Sequence, residues 1–264
     1  MTALLWEDQV SQSELDLVID ADAAESRRKG LYKLGGTAAL IAVLVPLAEI
    51  AVNFLPGVAR ASQETVTAVD WFTLFQNHWL LGLRNLGLLN IVGAALLATA
   101  ILAIYSALRR GNEAYAALST ILFFVGMAIY VAENRAFPML SLSRQYAVAT
   151  TDAQRSSLIA AGQAMLAEGH NRTGLLLIEF ACLAISVVML RGNVFSKATA
   201  YAGILGNALL IVVEIILTST SRLPDAGMIF AGAGGFSIMI WYLLVGRRLL
   251  QLGYGKPGSP VVGD

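Results

Sequence analysis

The chain has 264 residues, of which 57% are hydrophobic and only 14% charged, where an average soluble domain carries roughly a quarter. Eighteen basic residues balance eighteen acidic ones, which leaves no basic field to gather nucleic-acid phosphates, and the single cysteine excludes a disulfide framework or a cysteine-rich metal site. This composition fits an all-α, polytopic membrane protein whose first partner is the lipid bilayer.

In chain order, residues 1–30 read as an acidic cytoplasmic tail. Residues 1–26 hold seven acids and no base, unlike the basic start and short apolar run of a cleavable signal peptide. A solvated tail is expected, although Leu4, Leu5, Val10, Leu15 and Val18 would also suit an amphipathic helix docked on basic turns. Residues 31–248 form the transmembrane domain. A helix crosses the hydrocarbon in about 20 residues, and six windows qualify: Leu34–Phe54, Gly87–Leu108, Ala114–Phe137, Thr173–Leu190, Ala198–Thr218 and Ala226–Gly246. They are continuous apolar runs without the period of two that marks barrel strands. Residues 249–264 form a second cytoplasmic tail.

Lysine and arginine set the orientation. Arg27, Arg28, Lys29, Lys33, Arg109, Arg110, Arg191, Lys197, Arg247, Arg248 and Lys256 fall on one side, eleven in all. Seven arginines fall on the other, spread over much longer loops. Both termini are therefore expected inside.

The two long connections, about 55–86 and 138–172, fall outside. In the second, Thr151 and Gln154 fit a capping box, and Leu158, Ala161, Met165 and Leu166 form an apolar stripe. An external amphipathic helix is expected over 152–168, lying on the membrane surface. In the first, Trp71, Phe72, Phe75, His78 and Trp79 read as an interfacial aromatic belt.

The spans carry acids at similar depth. Glu49 lies ~24 Å from the inner edge, Glu214 ~25 Å and Glu133 ~30 Å, while Glu179 lies ~10 Å below the outer edge. All four fall in the outer half of the membrane, with Asn53, Asn90 and Asn134 nearby and Asn207 deeper on the face of Glu214. An ionisable side chain at the bilayer centre costs ~2.5–3.5 kcal/mol even on a lenient scale, so these acids should face the bundle interior. Pro46 and Pro138 lie close to Glu49 and Glu133, and proline in a span frees a carbonyl that needs a partner. Arg84, Arg135, Arg172 and Arg222 occupy the same level as charge partners. The eight polar residues therefore read either as an outer pocket for a small solute, cation or lipid, or as part of a closed Glu–Arg network.

Catalytic chemistry has thin support. His78 and His170 are weak metal candidates that lack the His-Glu-x-x-His spacing, Cys182 sits inside a span, and no cofactor motif appears. Gly227, Ala231 and Gly235 follow small-xxx-small spacing, for packing within the bundle or against a second copy or a membrane partner.

One further pattern combines six spans, the stretch from Tyr105 through Arg109-Arg110-Gly111-Asn112 to Glu113, the stretch Leu140-Ser-Leu-Ser-Arg-Gln-Tyr146, an outer helix and an inner turn at Arg191–Lys197. Over about Gly35 to Arg248 it resembles the bacterial six-helix membrane proteins catalogued as a domain of unknown function. That resemblance implies an α-helical protein of a bacterial inner membrane and carries no activity or catalytic residue with it. The first expectation is a non-enzymatic binding or transport protein. An intramembrane enzyme using a buried Glu, and a structural or accessory subunit, are the competing readings.

Overall fold

The computed structural model describes residues 2–53, 67–167, 173–220 and 224–255, with side chains for 23–48, 67–167, 173–220, 224–225 and 227–255. Every element among them is a helix: α1 (Thr2–Asn53), α2 (Ala68–Asn77), α3 (Trp79–Asn85), α4 (Leu88–Ala132), α5 (Ala136–Val148), α6 (Asp152–Ala167), α7 (Thr173–Arg191), α8 (Lys197–Ser219) and α9 (Asp225–Tyr254). Five helical stretches among the described residues are long and apolar enough to cross a membrane.

The longest of these contains α4, and α4 is not straight. Asn112 departs from helical geometry at φ −153°, ψ 64°. Just beyond the two ends of α4, the Asn134 side-chain amide donates to the Gly87 carbonyl at 3.1 Å. A straight helix of 45 residues would hold its ends ~68 Å apart, so the chain reverses at Asn112. Neighbouring long helices pack antiparallel. Tyr32 Oη donates to the Ser106 carbonyl, and Gly126 lies against Gly174 and Ile178. Gly206 meets Ile238, and Gly36 meets Gly246. The bundle thus has an Arg110 end, which also holds Lys29, Gly192 and Leu252, and an Asn134 end, which also holds Gly87 and Thr173.

The surface of the bundle is apolar where that of a water-soluble fold is polar, and a few polar side chains are buried within the apolar interior. Leu34, Leu44, Leu118, Ile121, Leu205 and Ile229 point outward with more than half their surface exposed, while Ser119, Ser186, Thr199, Asn207, Glu179 and Glu214 are buried. Soluble proteins rarely show apolar patches of this extent. The hydroxyls are satisfied within their own helices: Thr120 donates to the Ala116 carbonyl at 2.7 Å and Ser186 to that of Cys182 at 2.8 Å. Such i−4 bonds satisfy the hydroxyl without help from water.

A second, smaller core sits at the Asn134 end, built from α2, α3, α5 and α6. Trp71, Phe72 and Phe75 are buried there with Ala68, Leu83, Ala136 and Met139. This corrects the aromatic-belt expectation for these three rings, since helical spacing turns them onto one inward face; Trp79 and His78 alone of the cluster stay exposed. The aromatic layer is closed from above by α6, whose Gly162 sits so close that a Cβ would lie 2.9 Å from both Ala68 Cβ and Phe72 Cζ. Gln163 Oε1 accepts from the Ala68 amide at 3.1 Å, and Ser143 Oγ donates to the Phe72 carbonyl at 2.9 Å. The predicted helix start at Thr151 forms with both reciprocal bonds: the Gln154 amide donates to Thr151 Oγ1, and the Thr151 amide to Gln154 Oε1. Its stripe residues Met165 and Leu166 pack on the small core, and Arg155 is exposed.

A second capping box opens α2. The Thr67 hydroxyl and amide donate to the Asp70 carboxylate at 2.7 and 2.8 Å, which holds that carboxyl below its ordinary range. A lowered folded value means the cap is fully present above the ordinary aspartate range and is lost as pH falls through the lowered value. Thermal unfolding followed as a function of pH should therefore show an acid-side loss of stability that is smaller in Asp70→Asn; identical pH profiles would contradict this role.

Candidate functional site

The described sequence-predicted polar residues form two groups toward the Asn134 end, with Asn207 deeper, at the middle of α8. The first surrounds Gly87, the one described residue with positive φ, +100°, a conformation that favours glycine. A Cβ there would also lie 3.0 Å from the Asn90 amide nitrogen and 3.1 Å from that of Asn134. Asn134 bridges two helices: its Nδ2 donates to the Gly87 carbonyl, and its Oδ1 accepts from the Ala136 amide at 3.0 Å. This bond helps to start α5, so the preceding helix ends at Ala132 rather than continuing to Phe137 as expected. Asn134 is thus a clip between the start of α4 and the start of α5. Glu133, beside it, is partly buried and within electrostatic reach of Arg135.

The second group lies on α7 and α8. Glu179 is the seventh residue of α7, and Glu214 precedes the last residue of α8 by five, so both sit ~8–9 Å in from the same end. Each is 7% exposed and Asn207 is 3% exposed, which places all three in the bundle interior. Asn207 Nδ2 donates to the Gly203 carbonyl at 2.7 Å. A Cβ on Gly203 would meet Ser186 Oγ and lie 2.6 Å from Trp241 Nε1, so a polar seam runs between α7, α8 and α9. Trp241 Nε1 is buried with no hydrogen-bond partner among the described residues. Glu179, Glu214 and Arg135 are each engaged by a neighbour.

The other expected participants separate from these groups or lie outside the described residues. Arg84 spends its guanidinium on its neighbour, donating from Nε and Nη2 to Asn85 Oδ1 at 3.0 and 2.5 Å. Glu49 and Asn53 belong to α1, but their side chains lie outside the described residues, as do Arg172, Arg222 and His170. Among the described residues, no three His, Cys, Asp or Glu side chains come together as metal ligands. In the small-residue stripe of α9, Gly235 faces open space, and the close contact with α8 is made by its neighbour Gly234 against Leu210. Packing within the bundle therefore does not account for Gly235.

Sequence reasoning missed a cleft of about 440 Å³ at the opposite, Arg110 end. Arg28, Lys29, Arg110, Asn112 and Asn193 line it, together with the carboxylate Glu25 and Tyr32. In the sequence these basic charges read as markers of orientation and as basic turns on which the N-terminal tail could dock. The available signal was the tripeptide Arg-Gly-Asn, which occurs at 110–112 and again at 191–193, each time where an apolar helix ends.

The class these features define is an α-helical membrane protein with a few polar side chains buried in an apolar core. No family model, curated protein or solved structure matches the chain.

The clip role of Asn134 has a measurable consequence. Asn134→Ala leaves the Ala136 amide without this partner, while the Gly87 carbonyl keeps the Asn90 and Ile91 amides, and an orphaned buried polar group costs ~1–3 kcal/mol. Unfolding in mixed detergent micelles should register a loss of that order, and no loss would remove the clip from the account.

Proposed function

We propose that the chain is a non-enzymatic, six-crossing membrane protein with both termini cytoplasmic, and that Glu179, Asn207 and Glu214 form a polar site in the outer half of the membrane for a small cation or a cationic lipid headgroup. The six-crossing count is supported by the reversal at Asn112, which divides α4 into two antiparallel arms. The orientation rests on the basic asymmetry of the turns. The observation that carries the site is the burial of two carboxylates on facing helices near one end of the bundle, with one amide buried two turns deeper on α8. Ionisable residues within membrane spans are expensive to bury and mark ligand or ion pathways by default. A cation attracted there would replace the water each carboxylate gives up on burial.

A second reading, the closed Glu–Arg network of an accessory subunit, is favoured by one observation: Glu179 and Glu214 are both engaged by neighbours. The two readings part on Glu→Gln substitution. For a cation site, Glu179→Gln and Glu214→Gln fold normally, and the thermal stabilisation that Na⁺, K⁺ or choline gives the native chain disappears. For a closed network, the same variants lose stability, because breaking a buried ion pair costs ~3–5 kcal/mol, and the cations stabilise neither variant nor native chain. That second pattern would overturn the binding site.

The topology is tested separately. In a Cys182→Ala background, single cysteines in place of Ser62 and Ser156 should react with an impermeant thiol reagent applied to intact cells. Protection of both would overturn the six-crossing arrangement.

A further inference from the structure

The cleft at the Arg110 end combines features that no helix packing requires. Its cations come from two different helices: Arg28 and Lys29 from α1, and Arg110 from α4 just before the reversal. Three cations face one carboxylate, Glu25, which takes Lys29 Nζ at 2.9 Å. One Arg-Gly-Asn tripeptide lines the cleft with all three residues, and the other contributes its glycine and asparagine. Arg110, Gly111 and Asn112 line one wall, and Gly192 and Asn193 line another. Two side-chain amides thus join the guanidinium groups, while glycine keeps the intervening backbone free of side chains. The remaining wall is apolar, from Ala107, Leu108, Val188, Val194 and Leu252.

The level of the cleft matters as much as its chemistry. Arg110 lies 22 residues from Leu88, or ~33 Å along the helix, just beyond a hydrocarbon core about 30 Å thick. That is where lipid phosphates sit, and basic pockets between helices at this level hold anionic headgroups. Arginine suits the task because its planar fork meets two phosphate oxygens at once.

We propose that this cleft binds a phosphate ester, with the oxygens held by Arg28 and Arg110, the Asn112 and Asn193 amides as further donors, and the apolar wall taking the attached carbon chain. A lipid headgroup and a free phosphate ester offer the same recognised group. The proposal rests on the reading of the long helices as membrane spans, and its failure is distinguishable from a failure of that reading because the thiol-labelling experiment reports topology without any ligand.

The test uses the full chain in nanodiscs of phosphatidylcholine, with or without phosphatidylglycerol, followed by native mass spectrometry of the released protein and by thermal unfolding. Native protein should retain phosphatidylglycerol over phosphatidylcholine. Arg28→Gln/Arg110→Gln should lower that retention at least about tenfold, as expected when charge-assisted bonds are lost. Arg109→Gln, on the same turn but outside the cleft, should retain lipid like the native chain. Should the double glutamine variant fail to fold, Arg28→Lys/Arg110→Lys keeps the charge and loses the fork, and should still fall below Arg109→Gln. Stabilisation by sn-glycerol 3-phosphate or inorganic phosphate in phosphatidylcholine discs would identify a free phosphate source. Stabilisation by phosphatidylglycerol alone would identify the lipid. Equal loss in Arg109→Gln and the cleft variants, or no preference for phosphatidylglycerol together with no response to either soluble phosphate, would overturn the proposal.

Discussion

A backbone amide that enters hydrocarbon finds no water, so each N–H and C=O must be bonded within the protein. Helices meet this condition locally, and every described element of this chain is one. The same condition governs the side chains. Thr120 and Ser186 bond the carbonyl one turn back, and Asn207 does the same with Gly203. Once polar groups are satisfied in this way, the helices have no hydrophobic force to draw them together in lipid, and van der Waals packing must supply the attraction. Hence the backbones approach at small residues: Gly35 on Ala103, Gly36 on Gly246, Gly126 on Gly174 and Gly206 on Ile238. The contacts that set the helix register thus lie at or next to the backbone, which tolerates little adjustment.

The exceptions to this economy are concentrated at the two ends. At the Asn134 end, the chain leaves the bundle and builds a separate core around Trp71, Phe72 and Phe75. That core obeys the ordinary rule, with apolar residues inside and Arg155 and Asp152 exposed on α6. It is joined to the bundle through the Gly87–Asn134 clip, so the polar residues at the junction have work to do in holding two differently organised cores together. Asn134 is best understood this way. Glu179 and Glu214 are not, because they lie within α7 and α8 rather than at the junction.

The parts that were readable from the chain were those set by local spacing. The apolar windows, the Thr151 cap and the common depth of Glu179 and Glu214 depend on counting residues along one helix. The misreadings arose where two distant segments decide the outcome. Trp71, Phe72 and Phe75 look the same in sequence whether their face meets lipid headgroups or another helix, and only the arrival of Gly162 from 90 residues later distinguishes the two. The Arg110 cleft was hidden for the same reason. Arg28, Arg110 and Asn193 each follow the familiar pattern of a polar residue flanking a span, and nothing in that pattern says that three flanks face one space.

The surroundings of that space argue that it is preformed. α1 is the wall that would have to move to close or open it, and α1 is held against α9 where side chains cannot yield. A Cβ on Gly36 would stand 2.9 Å from the Gly246 carbonyl oxygen, and one on Gly253 would stand 3.1 Å from the Lys33 backbone nitrogen. Lys33 Nζ also lies 4.3 Å from the centre of the Tyr254 ring. On the far side, Arg248 Nε donates to the Val194 carbonyl at 2.6 Å and fixes the turn that carries Asn193. A cleft whose walls are set by backbone contact on one side and a charge-assisted hydrogen bond on the other need not be ordered by its ligand. The backbone framework is therefore set before a ligand arrives, and the ordering cost of binding falls on the exposed Arg110 and Asn193 side chains.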